Sequence, residues 1–317
     1  MADLSSLRRT VRGIEFPYPV MIAGGVVKTA EQVRRYAPTE IIPEWGSIES
    51  EPSSGNGGRD YHAEYAEVPG GGRVLMRTQN SLGLPNPGMK YVEQHAPDLI
   101  KLYADNGKPL AINVSGKSVE DVVTLVGRAI TCGFRFIIVN GSCPNRVVKG
   151  MPSAPICVDR DSIIPVFDLL QRRFSGTDAL VLWKVSVGLP RPILEFNCEM
   201  VRHSPVFGGM VTGNTFPSTL DYDAFYETTI LTENKIDRGG MAGPAIRPIA
   251  LDNTNFCSQQ LASCGKIVFG CGGAQDAHTI RKFLLAGAAI VQMHSAFREA
   301  NEDPTFVRDI LAELAQD

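Results

Sequence analysis

The feature that most limits how this chain can fold is a recurrence of short, nearly continuous apolar runs, most followed by a stretch with helical spacing. PVMIAG (19–24), TEIIPE (39–44), LAINVS (110–115), FRFIIVN (134–140), ALVLWKVS (179–186), FGGMVTG (207–213), GKIVFG (265–270) and AAIVQM (288–293) make eight. Between them lie amphipathic stretches such as SVEDVVTLVGRAITCG (118–133), where Val122, Leu125, Val126 and Ala129 share one helical face. RDSIIPVFDLLQRRF (160–174), RPILEFNCEMVRHS (191–204) and AQDAHTIRKFLLAGA (274–288) are others. A strand that is apolar on both faces has to be covered on both faces, which calls for a parallel sheet with crossover helices. Eight such units close most naturally into a (β/α)8 TIM barrel, and 317 residues suit one barrel domain over 1–317.

Two segments are too long to be ordinary loops. Residues 46–88, rich in Gly, Ser, Pro and Asn, read as an elaborated active-site loop carrying a small hairpin through RVLMRT (73–78). Residues 214–244 form a second break that ends in RGGMAGPAIRP. Net charge is −3 with acids and bases mixed along the chain, so nucleic acid and anionic membranes are not expected partners and a small-molecule substrate is. The polar start MADLSSLRRT and the lack of any ~20-residue apolar run argue against a signal peptide or a membrane span. Seven cysteines without a C-x-x-C pair suggest neither a disulfide framework nor a metal site, and fit a cytoplasmic protein.

In such a barrel, catalytic groups sit at the C-terminal ends of the strands. Those ends carry Gly24-Gly25, Glu44 to Ser47, Asn113 with Ser115, Asn140, Lys184 with Ser186, Asn214 with Thr215, Gly272-Gly273 and His294-Ser295. Amides, hydroxyls, glycines and one lysine therefore converge on one rim. FGCGGA (269–274) opens the helix expected at 275–286 and HSA (294–296) opens another, an arrangement whose backbone N–H groups can cradle a phosphate. Lys184 stands inside an apolar strand, where an uncompensated ammonium is costly. It has to face an electron-rich cofactor ring, serve as a Schiff-base amine, or belong to a structural ion pair. Cys143, bracketed by Asn140 and Asn145 after the fourth strand, is placed to act as a proton-transfer group.

These residues together resemble the dihydroorotate dehydrogenase family, the FMN-dependent barrel enzymes, and most closely its soluble class 1 members. The pieces are NSLGLPNPG (80–88), NGSCPN (140–145), the lysine of WKVS, GNT (213–215), GGMAGPAIRPIAL (239–251), GCGG (270–273) and the run Glu51, Pro52, Gly55, Asn56, Arg59. The resemblance implies that Cys143 removes a proton from a substrate ring while the adjacent carbon gives hydride to FMN. It implies substrate contacts at Asn80, Gly83, Leu84, Asn140, Asn145, Asn214 and Thr215. It implies cofactor contacts at Ala23, Gly24, Ser47, Asn113, Asn140, Lys184, Gly240, Gly272, Gly273, His294 and Ser295. A homodimer is also implied.

Three positions and the loop RVVKGMPSAPICVDRD (146–161) depart from the family pattern. Trp45-Gly46-Ser47 stands where the family has T-K-S, so a flavin- and substrate-contacting lysine is replaced by glycine and the indole suggests a reshaped pocket. Gly141 replaces an apolar residue, and His294 stands where a glycine normally meets the phosphate. Dihydroorotate is the leading substrate; a specialised-metabolism relative acting on another small molecule, a flavin-free aldolase using Lys184 and a non-catalytic FMN-binding barrel are the other readings. With no iron–sulfur or nicotinamide motif, the expected electron acceptor is a soluble oxidant such as fumarate or dioxygen, or a partner subunit.

Overall fold

The computed structural model describes residues 4–56, 61–142, 147–148, 151–152, 155–223, 228–231 and 237–316. Eight strands form one parallel sheet: β1 (Val20–Ile22), β2 (Glu44–Ile48), β5 (Ala111–Val114), β6 (Phe136–Asn140), β7 (Leu180–Lys184), β8 (Phe207–Val211), β11 (Ile267–Cys271) and β12 (Ile290–Met293). Their order is β1-β12-β11-β8-β7-β6-β5-β2. The ends meet where Ile22 bridges Pro43 in parallel and its N–H reaches the Ile42 carbonyl at 2.8 Å, so the sheet is a nearly closed barrel. Six of the eight strands fall inside the sequence runs that predict them and β11 runs one residue past its own, to Cys271, because strands buried on both sides read as apolar runs.

The exception is the second strand, and it matters. TEIIPE (39–44) is not a strand; the strand begins at its last residue, Glu44, and runs to Ile48. Pro43 has no N–H to give the ladder, and Ile41 and Ile42 are buried without joining it, so pairing with β5 starts at Glu44↔Ala111. The register is irregular between Trp45 and Ile48. Gly46 sits there at φ 128°, and a Cβ would come within 2.5 Å of the Asn113 carbonyl oxygen, so no side chain fits on this backbone.

Several helices begin at a side-chain cap. Ser118 accepts from the Asp121 N–H ahead of α3 (Val119–Thr131), and Asp159 accepts from Ser162 ahead of α4 (Arg160–Phe174). α5 (Arg191–His203) and α7 (Ala277–Leu285) also lie within their expected ranges. The inner aromatic core is Phe16, Phe136 and Phe269, whose rings meet edge to face at 5.6–5.9 Å. Phe16 comes from an N-terminal hairpin, Arg9–Val11 with Ile14–Phe16. Fully burying each such ring stabilises the fold by roughly 1.5–3 kcal/mol.

The two long breaks turn out to be one structure. β3 (Tyr61–Val68) and β4 (Gly72–Asn80) make a hairpin longer than RVLMRT alone predicts, and β9 (Phe216–Leu220) and β10 (Arg238–Ala242) come from the second break. They join into an antiparallel sheet of order β9-β10-β4-β3. The Tyr61 hydroxyl donates to Glu299 at 2.6 Å and the Tyr65 hydroxyl donates to the same carboxylate, while Arg298 stacks over Tyr61 at 4.2 Å. Both are on α8 (Ser295–Glu299), which leaves β12 at the barrel's C-terminal rim, so the hairpin is pinned to that rim. Among the described residues, no helix is long and apolar enough to cross a membrane.

Candidate active site

A cavity open at its mouth, about 1150 Å3 of empty space with the solvent at the mouth included, lies at the C-terminal ends of the barrel strands. Its wall gathers Ala23, Gly24, Ser47, Asn80, Gly83, Leu84, Asn113, Asn140, Lys184, Asn214, Thr215, Gly272, Gly273, His294 and Ser295. Gly240 lies behind the wall: a Cβ there would come within 2.4 Å of Thr215 Oγ1, so glycine lets Thr215 approach. Cys143 and Asn145 lie outside the described residues.

One side of the cavity is a chain of hydrogen-bonded polar groups. Asn140 donates from Nδ2 to Ser47 Oγ at 2.9 Å, and its Oδ1 accepts from both the N–H and the hydroxyl of Ser142 at 3.1 and 2.9 Å. Asn214 Nδ2 donates to Ser142 Oγ at 2.9 Å, and Asn214 Oδ1 accepts from the Thr215 N–H at 2.9 Å. Each amide is thereby held in one orientation, so a planar polar ligand meets groups that need no reorganisation. Ser186 Oγ donates to the Ser142 carbonyl at 3.2 Å, tying the end of β6 to the end of β7.

Lys184 has a partner that the sequence reading left open. Its Nζ lies 3.1 and 3.4 Å from the two oxygens of Glu44 and 3.3 Å from Gln292 Oε1. Glu44 Oε1 also accepts from Asn113 Nδ2, and its Oε2 accepts from Gln292 Nε2 at 2.8 Å. All four residues are buried. Glu44 is the one acid within the eight barrel strands, so charge balance alone would have identified it as the counter-ion of the one lysine there.

Trp45 does not reshape the cavity. Its indole is fully buried away from the wall, edge-on to Phe134 at 6.3 Å, with Nε1 donating to the Lys28 carbonyl at 2.9 Å. The end of the cavity near β11 and β12 also differs from expectation. Gly272 and Gly273, both on the cavity wall, adopt φ of 126° and 85°, a backbone region that favours glycine. The following helix α7 starts later, and Asp276 already caps it, accepting from the Thr279 N–H at 2.7 Å. An anion here would therefore lean on the glycine amides and on Lys28 and Arg298, two wall cations that strand-end reasoning missed. His294 lines the same cavity, its Nε2 so close to Gly25 that a Cβ there would be 2.9 Å away. Burial, reinforced by the cations Arg298, Lys184 and Lys28, lowers its pKa to about 3, so the imidazole is neutral.

Comparison with known proteins decides the family. The family profile described as dihydroorotate dehydrogenase matches residues 6–317, nearly the whole chain. The chain belongs to the dihydroorotate dehydrogenase family. By that membership it is an oxidoreductase acting on CH–CH groups. It is 29% identical to the dihydroorotate dehydrogenase (fumarate) of Trypanosoma brucei brucei, across 98% of this chain and 93% of the relative. It is 28% identical to the Trypanosoma cruzi protein of the same description, across 90% and 85%. The catalytic subunit of dihydroorotate dehydrogenase B (NAD(+)) from Lachnoclostridium phytofermentans is also 28% identical, across 90% and 87%.

Proposed function

We propose that this chain binds FMN across the barrel mouth and converts a dihydropyrimidine-like ring, dihydroorotate first among candidates, into its dehydro form. The observation that carries this is a buried, unsatisfied acceptor on the cavity wall. Asn113 Oδ1 has no hydrogen-bond partner although Asn113 Nδ2 is committed to Glu44. An orphaned acceptor in a buried site costs about 1–3 kcal/mol unless a ligand donates to it, and the imide N–H of an isoalloxazine ring is a donor of the right kind. Thr215 Oγ1 is a second buried orphan on the same wall. The positive-φ glycine pair and the adjacent cations suit a phosphate. The residues present thus fit FMN, which when bound supplies the hydride acceptor.

The chain's own groups supply binding, orientation and the proton step. Ala23 and Gly24 would lie beneath the ring, Asn113 and Lys184 at its polar edge, and Gly272, Gly273, His294 and Ser295 around its phosphate. Asn80, Asn140, Asn145, Asn214 and Thr215 would fix the substrate by its amide edges, with Gly83 and Leu84 closing over it. Cys143 Sγ would take the proton from the substrate carbon. An ordinary thiol titrates near ~8.5, so turnover should rise with alkalinity toward that value. A homodimer is part of the same proposal.

A second reading keeps the chemistry and changes the substrate. Gly46 stands against the Asn113 carbonyl, so the lysine that the family pattern has at this place is replaced by bare backbone. That favours a small molecule whose recognition does not need this cation. A Schiff-base aldolase is disfavoured because such an amine has to be free, whereas Lys184 Nζ is committed to a carboxylate 3.1 Å away. The test is an anaerobic spectrum of the purified protein before and after dihydroorotate is added. Bleaching of a bound yellow chromophore, lost in Cys143→Ala while the colour stays, is the expected result. A protein that cannot take up FMN would sink the proposal, and bleaching only by other dihydro compounds would select the second reading.

A further inference from the structure

The geometry points to Glu44 as the residue that sets how strongly the site favours reduced over oxidised FMN, by holding Lys184 and cancelling its charge. This rests on the FMN reading above. Glu44 is fully buried and does not reach the cavity wall, yet three of its partners do: Asn113, Lys184 and Gln292. It lies directly below Gly24, where a Cβ would come within 2.7 Å of Glu44 Oε1. The carboxylate is therefore a positioning residue, one layer beneath the groups that would touch the cofactor.

Its position has two consequences. By accepting from Asn113 Nδ2, Glu44 decides which way that amide points and leaves Oδ1 as the face offered to a ligand. By pairing with Lys184 at 3.1 Å, it makes the charge under the site close to zero rather than +1. FMN that has taken up two electrons and one proton carries one more negative charge than oxidised FMN. A bare lysine at its edge would favour that form strongly in a poorly screened interior, and a paired lysine favours it less. Gln292 joins both members of the pair, donating to Glu44 and accepting from Lys184, so the pair is held as a unit across β2, β7 and β12.

The experiment is a four-cornered comparison of FMN midpoint potentials, read against a reference dye in the loaded protein: wild type, Glu44→Gln, Lys184→Gln and the double variant. Glu44→Gln should tighten the hold on reduced over oxidised FMN at least tenfold, a rise of about 30 mV for a two-electron couple. Lys184→Gln should shift the potential in the opposite direction by a similar amount, and the double variant should return toward wild type. Glu44→Asp, which keeps the charge, should restore most of the wild-type value. If Glu44→Gln fails to fold, the step from Lys184→Gln to the double variant reads the same carboxylate. A merely structural Glu44 would lower stability and leave Glu44→Gln at the wild-type potential and the double variant at that of Lys184→Gln, and that result overturns the inference alone. A wild-type protein unable to bind FMN would overturn both the inference and the reading beneath it.

Discussion

Replacing Gly141 by alanine puts one methyl group where the structure has no room for it. Its Cβ would lie 2.5 Å from Cζ2 and Cη2 of Trp183, against 3.5–4.0 Å for an ordinary carbon contact, so about 1 Å has to be opened. The indole cannot retreat. It is packed edge-on to Phe167 at 5.2 Å and Phe207 at 5.8 Å, and its Nε1 donates to Asn197 at 2.6 Å. The backbone cannot easily retreat either, since the Gly141 N–H reaches the Lys184 carbonyl at 3.1 Å and its own carbonyl accepts from Cys157 at 2.9 Å. Overpacking of this kind costs about 1–3 kcal/mol, and a site blocked on both sides belongs at the upper end. Urea unfolding followed by circular dichroism should show Gly141→Ala destabilised by about 2–3 kcal/mol. In a Trp183→Phe background, which removes the two clashing carbons, the same substitution should cost at least ~1 kcal/mol less. An alanine variant within ~0.5 kcal/mol of wild type, or an equal cost in both backgrounds, would refute the argument that the indole occupies the space of the missing side chain.

Two further outcomes are expected. His294 titrates near 3 in the folded, cofactor-free chain and near 6.5 when unfolded, so below pH 6.5 the unfolded state binds a proton that the folded state refuses. The stability owed to neutral His294 is whole above that pH and is lost as pH falls toward 3, by up to ~1.4 kcal/mol per pH unit; urea midpoints at pH 7, 6 and 5 should show a shallower slope for His294→Asn, and an unchanged slope would refute the assignment. Glu299→Ala should leave the Tyr61 and Tyr65 hydroxyls without their shared acceptor, raising amide hydrogen exchange in β3 and β4 roughly tenfold while exchange in α3 is unaltered; equal protection in both proteins would mean the hairpin is held by its own ladder.

The parts of the site legible in the sequence are those tied to position along a strand. Asn113, Asn140, Lys184, Asn214, Gly272 and His294 were found because polar residues at the C-terminal ends of apolar runs stand out against their neighbours, and all of them reach the cavity. Lys28 and Arg298 were missed because each lies several residues past a strand end, where a cation looks like ordinary surface. Glu44 reads in the sequence only as a strand-end residue, because TEIIPE looks like a strand, and the effect of Pro43 on the ladder is decided by the strand beside it. The contribution of 214–244 to the sheet over β3 and β4 had no local signature: Phe216–Leu220 gains its partners from residues 238–242, which in turn pair with 78–80.

What the amino-acid sequence determined by itself is the barrel, because covering eight doubly apolar strands leaves few other arrangements, and the starts of capped helices such as α3 and α4, because a capping side chain acts on a backbone N–H two or three residues away. Tertiary structure alone decided the pairings: Glu44 with Lys184 across 140 residues, Gly141 with Trp183, and Tyr61 with Glu299. Such pairs leave no periodic trace in the chain. They exist because closing the barrel brings the two members of each within a few ångströms, where an unmatched charge, an extra methyl or an idle hydroxyl first acquires a cost.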